Sequence, residues 1–217
     1  SIPMKKLKIG IIGVGRLGYE HACNIANRVP GSELVAIADA NFDRAKQVAE
    51  ELGVTAVYND PKALCADPNV EAVAIITNTA SHVEMIKIAM DAGKHVFCEK
   101  PLAQNAGDCE KIIAAETAHG RRLLQVGFMR RYDHSYQVAK KKMENGDIGD
   151  VILVRCYSQD PISIIEGTLE YAPRSGGQFI DMSIHDFDLI RWLTGSEVKE
   201  LWATGGCYEF KQYKDWD

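Results

Sequence analysis

"GIIGVGRLG", residues Gly10 to Gly18, decides the fold. It sets Gly13, Gly15 and Gly18 in G-x-G-x-x-G spacing, at the end of an apolar run and at the head of a helical pattern that continues to Asn27. Glycines at the first two positions permit a tight turn and close backbone approach to a pyrophosphate, and the third lets helix pack on strand. The helix N-terminus then faces the anion with its partial positive charge. A glycine-rich turn without a ligand can have the same spacing, so context has to decide. Asp39 supplies it: the acid ends the next apolar run about 20 residues downstream, where a carboxylate hydrogen-bonds a ribose 2'-hydroxyl. The same carboxylate repels a 2'-phosphate, so NAD is expected rather than NADP. Arg44 is within reach of such a phosphate and is read as an exposed helix residue.

Working outward, "LKIGIIG", "ELVAIAD", "AVAIIT", "KHVFC" and "RLLQVG" read as strands, with helices at Arg16 to Asn27, Phe42 to Leu52, Ser81 to Asp91 and Ala106 to His119. Strands apolar at successive positions are covered on both faces, which predicts an α/β fold with a doubly wound parallel sheet. Ligands of such sheets gather at the carboxyl ends of the strands. Arg16 and Leu17 in the glycine loop, and Thr77, Asn78 and His82 after the third of these strands, therefore join Gly13, Gly15, Gly18 and Asp39 as expected cofactor-binding residues. Ser81 is the expected N-cap of the helix that follows.

Beyond Tyr132 the rhythm changes. The pattern predicts a helix to about Asn145, a turn at "NGDIGD", a strand at "VILVRCYS", an irregular segment around Pro161 and Pro173, one helix from Gln178, and a second strand within "VKELWATGGCYEF". Residues 1–126 are thus expected to form a dinucleotide-binding domain, and 127–217 part of an α+β sheet domain whose sheet is incomplete at Asp217.

Composition narrows the class. A net charge of -5 over 217 residues argues against nucleic acid as a partner, and the basic run Lys140 to Lys142 reads as a solvated helix face. Six cysteines without a C-x-x-C pair suit reduced thiols in a cytoplasmic protein. No apolar run approaches the roughly 20 residues of a membrane span, and "SIPMKKLKIG" lacks a signal-peptide pattern. A membrane partner is therefore not expected.

"DMSIHDFD", Asp181 to Asp188, concentrates three acids, Asp181, Asp186 and Asp188, and one histidine, His185, in eight positions. On a continuous helix Asp181 and His185 lie one turn apart on one face, with Asp188 a further turn along and Asp186 turned away. The neighbours Phe179, Ile180, Met182, Ile184, Phe187, Leu189, Ile190, Trp192 and Leu193 argue that the face is enclosed, against mere surface decoration. No second histidine or cysteine stands at ligand spacing, so no metal is expected.

Glu99-Lys100-Pro101 in "VFCEKPLA", after the glycine motif, resembles the Gfo/Idh/MocA family of nicotinamide-dependent oxidoreductases. "QVGFMRRYD", "SGGQFIDMSIHDFDLIRWLTG" and "VKELWATGG" agree, and within the family they are most similar to the inositol 2-dehydrogenases. The resemblance implies a Rossmann domain followed by a largely antiparallel sheet domain that binds substrate against the nicotinamide. Family members are longer, so this chain resembles their N-terminal part, and a homo-oligomer, dimer or tetramer, is expected of the full-length form. Oxidising a secondary alcohol requires a base for the hydroxyl proton and a positive group beside the developing alkoxide. His185 fits as base, Asp181 as its orienting carboxylate and Lys100 as the polarising group, and all three are expected to touch substrate. Pro101 disfavours helical backbone at Lys100 and holds it extended. Glu99, Lys100 and Met129 are placed with the cofactor, and Arg130 and Asp160 with polyol hydroxyls. Of the neighbours Arg130 and Arg131, one is expected to reach hydroxyls or cofactor and the other to pair with an acid, without the sequence assigning which. Asp160 departs from the asparagine that some inositol dehydrogenases have before this proline. The expected function is NAD-dependent oxidation of a cyclic polyol, inositol first, with a sugar or another polyol as the near alternative. A non-catalytic dinucleotide-sensing module is the alternative from a different class.

Overall fold

Six parallel strands, β1 Leu7–Ile12, β2 Ser32–Ala38, β3 Ala56–Tyr58, β4 Ala72–Ile75, β5 His95–Cys98 and β6 Leu124–Val126, build the sheet in the order β3-β2-β1-β4-β5-β6. The order runs outward in both directions from β1, so the crevice between β1 and β4 is the topological switch point where such sheets bind ligands. The computed structural model describes residues 5–211, without the side chains of 173 and 174. The chain divides into two compact units, Ser1–Gly127 and Phe128–Asp217.

Period two along the strands sorts their side chains onto two cores. Ile11, Ile37, Ala74 and Ile76 face α1 (Arg16–Asn27) and α2 (Phe42–Leu52), meeting Ala22, Ile25, Ala45 and Val48. Ile12, Ala36, Ala38, Val73 and Ile75 face the other way. There they pack with α3 (Pro61–Ala66), α4 (His82–Asp91) and α5 (Ala106–Ala118) through Leu64, Ile86, Met90 and Ile112. Both faces being covered explains why these strands read as unbroken apolar runs.

Local chemistry sets the helix ends. Asn41, Asp60 and Asn105 accept the backbone N–H of Arg44, Lys62 and Asp108, each satisfying a first-turn donor. Strand β3 and helix α3 were not expected from the apolar pattern, because three and six residues are too short to show a period. The legible signal was Asp60-Pro61, an N-cap followed by proline at the first helical position. Ser81 occupies the N-cap position of α4 without capping it; its hydroxyl lies 2.7 Å from Thr77 Oγ1 and 2.9 Å from the Asn78 carbonyl. Asn78 caps instead, accepting the Ser81 N–H at 3.2 Å in a 3₁₀ turn over Thr79–Ser81.

The second unit departs further from expectation. It holds a 3₁₀ turn at Met129–Tyr132, α6 (His134–Glu144), α7 (Ile165–Ser175), α8 (Gln178–Asp181) and α9 (Ile184–Thr194). The strands expected at 151–158 and 198–210 are not formed among the described residues, where those segments carry no ladder. Ile152 is 95% and Trp202 85% exposed, and β-branched composition alone cannot make a strand without a paired neighbour. The irregular segment expected around Pro161 and Pro173 is largely helical, since α7 continues through Pro173 to Ser175. The helix expected from Gln178 is broken by a turn at Met182–Ser183. Lys140 is not a solvated lysine: its ammonium donates to the Trp192 carbonyl at 2.8 Å and lies 5.2 Å from the Trp192 ring centre.

The seating of α1 against β1 is checkable by substitution. A Cβ at Gly18 would stand 2.0 Å from the Gly13 carbonyl oxygen, a backbone atom that cannot step aside. We expect Gly18→Ala to cost about 1–3 kcal/mol, read as a lower Tm in thermal unfolding. Gly107→Ala, whose Cβ would meet only the Asn105 side chain at 3.4 Å, should leave Tm unchanged or slightly higher. Equal effects at the two glycines would remove this account of α1.

Candidate active site

The glycine turn is built as a cradle. Gly13, at φ +92°, donates its N–H to the Ala38 carbonyl at 2.8 Å, and a Cβ there would strike the Ile76 carbonyl oxygen at 2.4 Å. Gly15 opens α1 without a side-chain cap, no acid occupies the first turn, and nothing lies within 4 Å of where its Cβ would be. First-turn N–H groups at a bare helix end, beside open space, fit a diphosphate. Arg16 and Leu17 are exposed at that same end.

Asp39 is oriented by two backbone donors, Val14 N–H on Oδ2 and Asn41 N–H on Oδ1, both at 2.8 Å. A carboxylate has about four acceptor sites, so capacity for ribose hydroxyls remains. Arg44 is not the exposed helix residue expected. It folds back on the glycine turn, donating from Nε to the Val14 carbonyl at 3.1 Å and from Nη1 to Gln47 at 3.1 Å, with its guanidinium 5.2 Å from the Tyr19 ring centre.

The loops that leave β4 and β5 are tied together by His82. Its ring is 1% exposed, with Nδ1 2.9 Å from the Pro101 carbonyl and Nε2 3.3 Å from the Thr77 carbonyl. Both ring nitrogens thus face backbone carbonyls, the shorter contact being at Nδ1. A ring so enclosed ties together the loops carrying Thr77, Asn78 and Lys100.

Glu99 closes the end of β5, with a side chain 19% exposed. Its Oε1 lies 2.8 Å from His21 Nε2, and its Oε2 accepts the Lys100 N–H at 3.2 Å. His21, on α1, was missed from sequence because its partner stands 78 residues away. The one available signal was a histidine in the helix that the glycine motif opens.

In the second unit, the turn at Met182–Ser183 separates Asp181 on α8 from His185 on α9, so the pair does not share one regular helical face as expected. The N–H groups of Met182 and Ser183 both donate to the Gln178 carbonyl, and the new helix starts from Ser183. Both candidate side chains are half-buried. The arginines are held by acids of α9. Arg130 pairs with Asp186 and donates to Ser158 Oγ at 3.0 Å, while Ser158 donates to Asp186 at 2.6 Å. Arg131 grips Asp188 through two bonds of 2.8 and 2.6 Å, and this partner raises the arginine's pKa above its ordinary value. Arg130, expected on polyol hydroxyls, is thus engaged within its own unit, and both arginines pair with acids of α9. Met129 and Asp160 are exposed. Among the described residues, no three His, Cys, Asp or Glu side chains are grouped to hold a metal.

Comparison with known proteins adds a frame to this geometry. The GFO_IDH_MocA family, described as an oxidoreductase family with an NAD-binding Rossmann fold, matches residues 7–128, and the GFO/IDH/MocA C-terminal domain matches residues 136–216. Myo-inositol 2-dehydrogenase of Thermotoga maritima is 42% identical over 199 residues, which cover 92% of this chain and 58% of the relative. Scyllo-inositol 2-dehydrogenase (NAD(+)) of Bacillus subtilis is 38% identical over 217 residues, 98% of this chain and 62% of the relative. A solved scyllo-inositol dehydrogenase from Lactobacillus casei, with bound NAD(H) and scyllo-inositol, superposes with a TM-score of 0.91 at 38% identity. That alignment covers 98% of this chain and 64% of the other. The chain therefore spans about three fifths of the length of these relatives.

The His82 clasp predicts a stability effect. His82→Leu removes the donor from a buried carbonyl and should lower stability by about 1–3 kcal/mol, with His82→Gln recovering part of the loss. Thermal unfolding measures both, and a leucine variant as stable as the parent would refute the clasp.

Proposed function

The chain belongs to the Gfo/Idh/MocA family of oxidoreductases and carries its NAD-binding Rossmann fold, and from that premise we propose that the protein oxidises a secondary hydroxyl of a cyclic polyol, myo-inositol first. The observation that carries the reading is the fixing of Lys100 at the carboxyl end of β5, beside strands whose ends form a dinucleotide cradle. Curated relatives named as inositol 2-dehydrogenases support the substrate class. When bound, NAD supplies the hydride acceptor.

The residues divide the remaining work. Lys100 places a positive charge beside the substrate oxygen and stabilises the developing alkoxide. His185 takes the hydroxyl proton, and Asp181 steadies the imidazolium so formed. Asp39 holds the adenosine ribose and disfavours a 2'-phosphate through like charge. Asp160 stands exposed where some inositol dehydrogenases carry asparagine, which keeps other cyclic polyols and sugars in the substrate panel.

Setting follows from less. Six free cysteines suit a reducing compartment, so the proposed location is the cytoplasm. No described helix is long and apolar enough to cross a membrane, and a net charge of -5 disfavours nucleic acid. Exposed apolar side chains such as Ile152, Leu153 and Leu201 support a homo-oligomeric full-length protein.

Turnover of a polyol panel with NAD, followed by NADH absorbance, tests the reading. His185→Ala and Lys100→Ala should each lower kcat/KM by roughly 10²- to 10⁴-fold. A protein that reduces NAD with no polyol or sugar, or an alanine variant at His185 with unchanged turnover, would overturn it. Preference for NAD over NADP should narrow in Asp39→Ser, measured as the ratio of kcat/KM for the two cofactors.

A further inference from the structure

We propose that His21 and Glu99 form a brace that positions Lys100, making His21 a positioning residue for the polyol oxidation, an inference that rests on the function proposed above. Glu99 is the residue just before Lys100 and turns its carboxylate back on the chain, so that Oε2 accepts the Lys100 N–H at 3.2 Å. The other oxygen, Oε1, accepts a hydrogen bond from His21 Nε2 at 2.8 Å. The carboxylate is therefore held at both ends, once by the loop it orients and once by α1.

Packing makes this arrangement specific to one rotamer. The side chains of His21 and Glu99 are only 26% and 19% exposed. The His21 ring lies against Phe97 with centres 5.8 Å apart and planes tilted by 52°. Gly127 leaves the space the carboxylate occupies: a Cβ there would come within 3.0 Å of Phe97 Cζ and 3.2 Å of Glu99 Oε2. The backbone beneath is tied on both sides, with Glu99 N–H donating to the Ile75 carbonyl at 3.3 Å and Gly127 N–H to the Cys98 carbonyl at 2.8 Å. Without His21, a half-buried carboxylate loses one partner and turns toward water, and the Lys100 N–H loses its acceptor.

The brace also explains why it should be a histidine on α1. The N-terminal turn of that helix holds the dinucleotide cradle, and His21 stands one turn beyond Gly18. The helix that receives the diphosphate and the lysine that polarises the substrate oxygen then share a rigid connection of two hydrogen bonds. Partners that orient a reacting group from behind typically carry about 10- to 100-fold in activity.

Two readouts on the protein decide the matter: hydrogen exchange of the Lys100 amide, followed by NMR with ¹⁵N-lysine, and steady-state kinetics. His21→Ala should speed Lys100 exchange by about tenfold or more and lower kcat by about 10- to 100-fold, with the KM for NAD little changed. His21→Gln, which can return an N–H to Glu99, should recover much of both losses. Gly127→Ala should act in the same direction without touching His21. Unchanged Lys100 exchange in His21→Ala overturns the brace, whether or not any polyol is oxidised. Faster exchange with unchanged kcat overturns the positioning role. Failure of the unaltered protein to oxidise any polyol overturns the functional reading and, with it, the catalytic part of this proposal, while the exchange result still judges the brace.

Discussion

The close approach of α1 to β1 is the constraint on which the rest depends. Only hydrogen fits on Gly18 facing the Gly13 carbonyl, because a carbon there would be 2.0 Å from the oxygen. That approach points the bare helix end at the β1–β4 crevice and lays the body of α1 over Ile11, Ile37 and Ile76. It also fixes Val14, whose N–H and carbonyl anchor Asp39 and Arg44. Cradle, ribose acceptor and sheet core therefore share one origin. A larger residue at Gly18 would disturb all three at once.

From the same helix the constraint reaches the strand ends two places across the sheet. His21 holds the Glu99 carboxylate and His82 the Pro101 carbonyl, so each neighbour of Lys100 is secured by a histidine. Each works by presenting a ring nitrogen to a fixed oxygen. The arrangement suits a reaction in which a lysine must meet a substrate oxygen at a set distance, because placement errors of about 1 Å are costly. Loops at strand ends are mobile unless tied, and here the ties are internal.

How much was legible follows the range of each interaction. The parallel sheet could be read because its strands announce burial on both faces locally, and α1 and α2 because their start and stop signals lie within a few residues. Asp39 was legible through its fixed offset from the glycines. His21 and His82 were not, since their partners are set by the fold and stand 78 and 19 residues away. Arg44, read as an exposed helix residue, is drawn inward by the Val14 carbonyl and the Tyr19 ring, partners that lie 30 and 25 residues away in sequence. The strands expected at 151–158 and 198–210 misled for a related reason: composition reports propensity, and a ladder needs a partner.

The acids of "DMSIHDFD" show how burial separates roles that sequence leaves alike. Asp188 is 7% exposed, and a carboxylate so enclosed is stable only with a matched cation, which Arg131 supplies through two bonds. Asp186 is met by Arg130 and Ser158 in a closed network. Both arginines come from the 3₁₀ turn Met129–Tyr132, so α9 and that turn are locked by two adjacent ion pairs. Asp181 lies on the far side of the Met182–Ser183 turn, on a separate helix from these two acids. The turn thus divides the motif: Asp186 and Asp188 anchor α9 to the arginines, while Asp181 belongs to the helix before the turn.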